Sequence, residues 1–240
     1  MIKMNEMGRL LLAHEELPYE IAEEIKTLRT NILFSGDDKR VIMITSCKSG
    51  EGKSSVILEL ARSMAELGKN VLLVDADLRK SVVKEKVKEG RIRYGLTHYL
   101  CGQASAQEAL YATESDGVYL MPAGAMPPNP TELLSNVRMK SLLEATRQNF
   151  DYVLVDCAPL GMVVDAAVVA PFCDGSMMLI EAGQISYRYA QDVLNQLKAT
   201  QSPILGVVLN KVDYAKSKHY GRYGKYYGKY SKYEKYYKSE

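Results

Sequence analysis

Residues 41–56 read VIMITSCKSGEGKSSV, and this stretch decides the fold. An apolar run of strand length enters a loop with Gly50 and Gly52, and a helical pattern follows at once. The glycines let the loop curl, so that successive backbone N–H groups point into one concavity at a helix N-terminus, where partial positive charge collects. Lys53 is placed to reach the terminal phosphates of a nucleotide, and the Ser54 hydroxyl to contact Mg²⁺. The pattern therefore predicts a phosphate-binding loop. The less favoured alternative is a glycine-rich turn that only starts a helix.

On both sides of this loop, apolar runs of strand length alternate with helical patterns. The predicted strands cover residues 41–45, 71–74, 118–121, 152–155, 176–180 and 204–209, and the predicted helices cover 19–34, 54–67, 139–149, 165–172 and 187–199, with another starting near Thr131. Short runs that are apolar on both faces indicate a parallel sheet covered on both sides. We therefore predict an α/β fold, a P-loop NTPase with a mostly parallel central sheet flanked by helices. The predicted divisions are a lead-in at 1–18, a folded domain at 19–213 and a flexible tail at 214–240.

Two of the predicted strands end in acidic residues. Residues 71–79 read VLLVDADLR, with Asp75 and Asp77 after the apolar run, and residues 152–156 read YVLVD, ending in Asp156. Carboxylates at the carboxyl ends of parallel strands emerge at the edge of the sheet where ligands bind. Each Asp alone is more often a helix cap or turn residue. Together with the phosphate-binding loop, they favour Mg²⁺ binding and proton transfer.

The combination of motifs resembles the bacterial tyrosine kinases that control capsular and exopolysaccharide synthesis. Its parts are GEGKS at 50–54, the DADLR strand end, DCAP at 156–159, PNPTELL at 128–134 and a tyrosine-rich C-terminus. The resemblance implies an ATP-dependent protein-tyrosine kinase domain at 19–213. It also implies a ring-like homo-oligomer formed through a helix that carries Glu23, Lys26 and Arg29. An ordinary solvated helix face is the alternative for those three residues.

The resemblance further implies two partners. One is a transmembrane adaptor that regulates polysaccharide chain length and activates the kinase, and the other is a cognate tyrosine phosphatase. No apolar stretch of signal-peptide or transmembrane length is evident in the sequence. We therefore expect a cytoplasmic protein that the adaptor recruits to the inner face of the membrane. The four cysteines show no paired spacing, which indicates reduced thiols rather than disulfides or a zinc site.

The tail, residues 214–240, has a composition that cannot build a core. It holds nine of the chain's 17 tyrosines and no Val, Ile, Leu, Met, Phe or Trp. The predicted phosphorylation sites are Tyr220, Tyr223, Tyr226, Tyr227, Tyr230, Tyr233, Tyr236 and Tyr237, modified in trans by a neighbouring subunit. The tail carries a charge of +6 and the remainder −4, for a net +2. Because each phosphate adds about −1.5 to −2, a few phosphates reverse the tail's charge. We expect phosphorylation to dissolve the assembly.

The predicted roles follow from the chemistry of phosphoryl transfer. Lys53 and the loop amides contact the phosphates, Ser54 and Asp156 hold Mg²⁺ together with Asp75, and Asp75 orients or deprotonates the acceptor tyrosine with support from Asp77. The NKVD sequence at 210–213 is typical of guanine binding, but an Asn after a late strand also contacts adenine in this wider group, so ATP is preferred to GTP. The predicted nucleotide-binding residues are Lys48, Ser49, Gly50, Glu51, Gly52, Lys53, Ser54, Ser55 and Asn210.

Other functions stay open at this point. Lys48 has the spacing of the extra lysine in the deviant Walker A group, which includes the division-site and partition ATPases; such a lysine crosses a dimer interface, and a solvated loop lysine is the equal alternative. A regulatory ATPase of that group, without kinase activity, is the first rival. A second is a module whose tail stacks on single-stranded nucleic acid. No nucleic-acid partner is expected, because the folded part is mildly acidic.

Overall fold

A computed structural model describes residues 7–14 and 16–213. The strands are β1 Gly8–Leu12, β2 Val41–Ser46, β3 Val71–Asp75, β4 Val87–Glu89, β5 Tyr111–Thr113, β6 Val118–Met121, β7 Tyr152–Asp156, β8 Gly175–Glu181 and β9 Ile204–Asn210. The helices are α1 Tyr19–Phe34, α2 Lys53–Ala65, α3 Leu96–Leu100, α4 Ala106–Ala109, α5 Pro130–Leu134, α6 Val137–Thr146, α7 Asp165–Val169 and α8 Tyr187–Ala199, with 3-10 turns at Lys84–Lys86 and Ala170–Phe172. The predicted tail and its eight phosphorylation sites lie outside the described residues.

The strands form one nine-stranded sheet in the order β4-β1-β5-β6-β3-β7-β2-β8-β9. Two pairs, β1 with β4 and β5 with β6, are antiparallel, and the other pairs are parallel. Every residue of the adjacent strands β3, β7 and β2 is buried, which explains why their sequences are apolar on both faces. The predicted α/β fold with a mostly parallel sheet is confirmed.

Helices cover the sheet on two faces. One apolar cluster joins the sheet to α1 and α2 through residues such as Ile32, Ile57 and Leu58. The other joins it to α6, α7 and α8 through residues such as Leu142 and Val193. The packing fixes the carboxyl ends of β2, β3 and β7 side by side, since β7 pairs with both neighbours in parallel register.

The structure adds elements that the hydrophobic pattern does not predict. β1 lies within the predicted lead-in, residues 1–18, and pairs in parallel with β5. β4 and β5 have three residues each, so neither shows a measurable period. The helix predicted at 165–172 is α7 followed by a 3-10 turn, because Pro171 has no N–H to continue the α-helical pattern. The folded part therefore begins before Tyr19. Within the described residues, no helix has both the length and the apolar character needed to cross a membrane.

Candidate active site

The phosphate-binding loop adopts a conformation that requires its two glycines. Gly50 has φ 85° and Gly52 has φ 98°, values that residues with a side chain rarely adopt. A Cβ on Gly52 would also lie 2.3 Å from Asn210 Nδ2. α2 begins directly after Gly52, so the loop ends at the N-terminus of a 13-residue helix. This is the anion-binding geometry that the sequence predicts.

The buried side chain of Glu51 holds the loop in place. Its carboxylate accepts hydrogen bonds from the Lys48 N–H at 2.6 Å and the Glu181 N–H at 3.0 Å. Asn210 Nδ2 donates to the Glu51 carbonyl at 2.8 Å. The loop is therefore held to the ends of β8 and β9. Asn210, predicted to contact adenine, lies against the loop, and its contact with a base stays a prediction.

Lys211 is a loop contact that sequence reasoning missed. Its Nζ donates to the Gly50 carbonyl at 2.7 Å and to Glu181 Oε2 at 2.9 Å. Its backbone has φ 53°, in the left-handed region that only a few per cent of non-glycine residues occupy. The NKVD motif contains Lys211, but the sequence gives no sign that its ammonium group reaches the loop rather than a base.

Asp75 and Asp156 lie next to each other at the carboxyl ends of β3 and β7. They are directly paired in register, and both are buried. Burial, and then the nearby Asp156 charge, raise the pKa of Asp75 to about 8, although the Ser81 hydroxyl bonded to Asp75 Oδ2 opposes the shift. Burial also raises the pKa of Asp156 to about 6, against the lowering effect of Lys53 and Ser54. The sheet thus holds two carboxyl groups whose charges are costly without a cation.

The Asp156 carboxylate has a feature that fits a metal ion. Both of its oxygens are buried, and neither has a hydrogen-bond partner among the described residues. The Ser54 hydroxyl is near enough to lower the pKa of Asp156 but does not complete a hydrogen bond with it. Buried polar atoms without partners are rare and call for an unseen ligand. Carboxylate and hydroxyl oxygens are the ligands Mg²⁺ prefers, so Asp156 and Ser54 fit the predicted ion.

Asp77, two residues along, has a different environment. It is partly exposed, and its Oδ1 accepts hydrogen bonds from the N–H groups of Arg79 at 3.3 Å and Lys80 at 2.9 Å. Asp77 therefore closes the turn after β3 and stands at the rim of the site. Ser81, which bonds Asp75, is a further contact that sequence reasoning missed.

Lys48 and Ser49 are exposed residues of the loop, and Ser55 is exposed in the first turn of α2. The Lys48 Nζ is 5.9 Å from the ring centre of Tyr189 in α8. The Tyr189 hydroxyl donates to the Gly161 carbonyl at 2.7 Å, which joins α8 to the loop that follows β7. Lys48 is thus positioned over an aromatic ring of its own chain, and a role across a subunit interface stays a prediction.

The three residues predicted to form an oligomer lie on α1. Lys26 pairs with Glu23 one turn away, at 2.8 Å. Arg29 points instead towards α2, where its Nη1 donates to the Ser63 carbonyl at 2.6 Å and lies 3.4 Å from Glu66 Oε2. Arg29 therefore joins α1 to α2 within one chain, while Glu23 and Lys26 remain on the outer part of the helix.

Comparison with known proteins agrees with this geometry. Residues 39–206 match a family described as an AAA domain. The chain is 40% identical over 203 residues to tyrosine-protein kinase CpsD of Streptococcus agalactiae, covering 84% of this chain and 89% of that one. The chain belongs to the bacterial tyrosine kinases. It is also 36% identical over 194 residues to the succinoglycan biosynthesis transport protein ExoP of Rhizobium meliloti, covering 80% of this chain and 25% of that protein.

Solved structures extend the likeness to the fold of this tyrosine kinase. The chimeric protein CapA2B2 superposes with a TM-score of 0.78 and 27% identity, covering 86% of this chain and 93% of that one. The septum site-determining protein MinD of Pyrococcus horikoshii, complexed with Mg-ADP, superposes with a TM-score of 0.62 and 25% identity, covering 71% and 69%. The predicted P-loop fold of the MinD-like group is confirmed, and the site is that of a nucleotide-binding protein.

Proposed function

We propose that this kinase transfers the γ-phosphoryl group of ATP to tyrosines of its own C-terminal tail, from one subunit to another, as part of the control of extracellular polysaccharide synthesis and export. The observation that carries the proposal is the pair of buried carboxyl groups, Asp75 and Asp156, at neighbouring strand ends beside the phosphate-binding loop. The phosphate-binding loop would bind ATP, the phosphoryl donor. The tail supplies the acceptor hydroxyls within the same chain.

The loop and α2 bind and orient the triphosphate. Backbone N–H groups of the loop and the N-terminus of α2 stabilise its negative charge, and Lys53 adds a full positive charge. Ser54 and Asp156, with Asp75 beside them, would hold Mg²⁺, which when bound neutralises charge on the phosphates. The N–H to carboxylate bonds of Glu51 keep the loop in this shape, so little reorganisation accompanies binding.

Transfer requires the acceptor phenol to lose its proton. The tyrosine oxygen forms a bond to the γ-phosphorus while the bond to the β–γ bridging oxygen breaks, and ADP leaves with the bond's electron pair. A free phenol has a pKa near 10, so a nearby base assists. Asp75, buried beside Asp156 at the strand ends, would be the carboxylate that takes up this proton once it is ionised. Asp77, at the exposed rim, supports the acceptor.

A mixing experiment tests transfer between subunits. The intact Lys53→Met chain has a tail but no loop lysine, and a chain truncated after Asp213 keeps Lys53 but has no tail. Each is incubated alone and then together, with Mg-ATP and the adaptor's cytosolic segment, and probed for phosphotyrosine. We expect phosphotyrosine only in the mixture, and only on the Lys53→Met chain, which carries the tail. The surface variant Lys140→Met serves as the control, and its tails should be phosphorylated when it is incubated alone. Absence of phosphotyrosine in the unmodified chain would refute the kinase reaction.

We further propose that a transmembrane adaptor recruits and activates the kinase at the inner face of the membrane. ExoP is named as a biosynthesis transport protein and shares this domain within a longer chain, which supports the idea of a membrane partner. A ring formed through the outer face of α1, near Glu23 and Lys26, brings each tail to a neighbour. A cognate phosphatase reverses the modification. Mass measurements on phosphorylated and dephosphorylated forms test whether phosphorylation dissolves the ring, and equal masses would refute it.

A regulatory ATPase without kinase activity is the second candidate. The position of Lys48 at the exposed rim and the likeness to MinD favour it. Such an ATPase hydrolyses Mg-ATP on assembly, and its rate falls when Lys48 is replaced by alanine. It forms no phosphotyrosine, so the same mixing experiment separates the two candidates.

A further inference from the structure

An ion pair between Arg79 and the buried Asp165 joins three segments of the chain beside the active site. Arg79 Nε donates to Asp165 Oδ2 at 2.6 Å, and Arg79 Nη2 donates to Asp165 Oδ1 at 2.9 Å. The Thr131 hydroxyl donates to Asp165 Oδ1 at 2.6 Å and accepts from Arg79 Nη2 at 3.0 Å. Each side chain in this triangle therefore contacts the other two. Arg79 follows β3, Thr131 lies in α5, and Asp165 opens α7.

The triangle requires an ionised Asp165 and a guanidinium group in a fixed orientation. Asp165 is only 1% exposed, while the Arg79 side chain is 35% exposed. Burial acts to raise the pKa of Asp165, but the hydrogen bonds from Arg79 and Thr131 outweigh it, so the pKa is lowered and the group stays ionised. Two-point bonding between a guanidinium and a carboxylate fixes orientation as well as distance. Lysine carries the same charge but cannot reproduce that geometry.

The position of Arg79 connects the triangle to the catalytic carboxyl groups. The N–H of Arg79 donates to Asp77 Oδ1, and Asp77 N–H donates to Asp75 Oδ1, both at 3.3 Å. The Lys80 N–H, at 2.9 Å from Asp77 Oδ1, and the Ser81 hydroxyl on Asp75 also hold this turn, all from within residues 75–81. The side chain of Arg79 adds a second attachment, to α5 and α7. The PNPTELL motif at 128–134 thereby gains a physical role through Thr131.

We propose that Arg79, held by Asp165 and Thr131, is a positioning residue that sets the placement of Asp75 and Asp77 for phosphoryl transfer. The inference rests on the proposed kinase reaction. Arg79 contacts neither phosphate nor metal in this role; it acts through the turn after β3. Its loss should therefore slow the transfer step while nucleotide binding is retained.

The molecule contains a matched control for the test. At the opposite end of the sheet, Arg147 Nη1 donates to both oxygens of Asp174, at 2.7 and 2.6 Å. The Arg147 side chain is 32% exposed, close to the value for Arg79. Arg147→Lys therefore weakens a comparable ion pair without touching the active site. Thr131→Val removes only the bridging hydroxyl, and Thr131→Ser restores it.

The experiment compares Arg79→Lys, Thr131→Val and Thr131→Ser with Arg147→Lys in the full chain. Three quantities are measured: kcat for tail phosphorylation, Kd for Mg-ADP by fluorescence, and Tm. We expect Arg79→Lys to lower kcat by about tenfold or more, since small misplacement of a reacting group is costly, with Kd changed less than about twofold. The kcat of Thr131→Val should lie between those of Arg79→Lys and the unmodified chain. Thr131→Ser should recover most of the unmodified kcat. Arg147→Lys should lower Tm but not kcat.

Two results would overturn the proposal. One is an unchanged kcat in Arg79→Lys; the other is a loss of kcat that Arg147→Lys reproduces at equal loss of Tm. If Arg79→Lys does not fold, the comparison of Thr131→Val with Thr131→Ser decides, and a kcat equal in the two overturns it. If the unmodified chain forms no phosphotyrosine, the proposed function fails, and the same variants are then compared by Mg-ATP hydrolysis. Equal hydrolysis by Arg79→Lys and Arg147→Lys would overturn the positioning role itself.

Discussion

The two ends of the central sheet provide opposite surroundings for Asp174 and Asp156. At the amino end, Asp174 accepts hydrogen bonds from the N–H groups of Arg40 and Val41, at 3.0 and 2.8 Å, and from Arg147. At the carboxyl end, Asp156 has no hydrogen-bond partner among the described residues, and Asp75 has the Ser81 hydroxyl and one long bond from an N–H. Asp174 is thus satisfied by its neighbours, whereas Asp156 is not.

This difference separates stability from function. A carboxylate that accepts several hydrogen bonds stabilises the fold, whereas a buried one without partners costs free energy that a cation must offset. The raised pKa values of Asp75 and Asp156 express that cost. Removing charge at the amino end should therefore weaken the fold and spare catalysis. Removing it at the carboxyl end should do the reverse.

The largest effect is expected at Asp156. Asp156→Asn should slow tail phosphorylation at least about 1000-fold, roughly 4 kcal/mol of lost transition-state stabilisation. Without nucleotide its Tm should be no lower than that of the unmodified chain, because a buried charge has been removed. Mg-ADP should no longer raise the Tm. Phosphotyrosine rates and thermal melts with and without Mg-ADP check this. A variant that keeps more than a tenth of the rate would break the comparison.

At the amino end, Asp174→Ala should reduce the free energy of unfolding by about 3 kcal/mol, since it strands Arg147 and two backbone N–H groups. The kcat of the folded protein should stay within about twofold of the unmodified value. Urea denaturation at pH 7 measures the loss. Asp174→Asn keeps one acceptor oxygen and should lose less. Equal stability in the alanine variant, or a fall in kcat, would show that the two ends do not divide their roles.

Much of this contrast is not evident in the sequence. The strands that carry Asp75 and Asp156 were predicted to within a residue, because continuous apolar runs between polar turns are a strong local signal. The pairing that brings the two carboxyl groups together depends on strand order, which joins β3 to β7 across more than 70 residues. A local pattern carries no information of that kind.

The contacts around the site show the same limit. The bond between Arg79 and Asp165 spans 86 positions, and the one between Lys211 and Gly50 spans 161. The motifs that contain Arg79 and Lys211 are visible in the sequence, but their partners are set by packing. β1 was missed for a related reason: its five residues alternate only partly, and its pairing with β5 comes from a distant segment.

A further effect, which depends on pH, is expected from the charge on Asp75. Its pKa in the folded chain, about 8, lies above the ordinary 3.8, so the folded state holds a proton that the unfolded state releases. The stability that this group contributes therefore falls as pH rises from about 4 to about 8. Asp75→Asn removes the titrating group. Without Mg²⁺, its Tm advantage over the unmodified chain should grow from pH 5 to pH 8, by about 2 to 4 °C for each kcal/mol.

The matched control for that prediction is Asp174→Asn, which should show no Tm advantage at any pH. Added Mg-ADP should reverse the order at pH 8, since it favours the ionised carboxylate of the unmodified chain. A Tm difference that does not change with pH would contradict the assignment of a buried, protonated Asp75. Loss of phosphotyrosine in Asp75→Asn is expected but does not by itself separate its two proposed roles.

The smallest effect is expected at Lys211, which tests whether every charge at the carboxyl end is catalytic. Its side chain is 46% exposed, so its bonds to Glu181 and the Gly50 carbonyl are screened by solvent. Lys211→Met frees the Gly50 carbonyl to turn and reduces the fraction of loops ready to bind. The KM for ATP should rise about three- to fivefold, near 1 kcal/mol, with kcat unchanged.

Two variants serve as controls for Lys211→Met. Lys211→Arg should recover part of the affinity for ATP, and Lys140→Met, which removes an exposed ion pair on α6, should change neither KM nor kcat. A fall in kcat would place Lys211 in the transfer step, and an unchanged KM would show that Glu51 and Asn210 hold the loop without it.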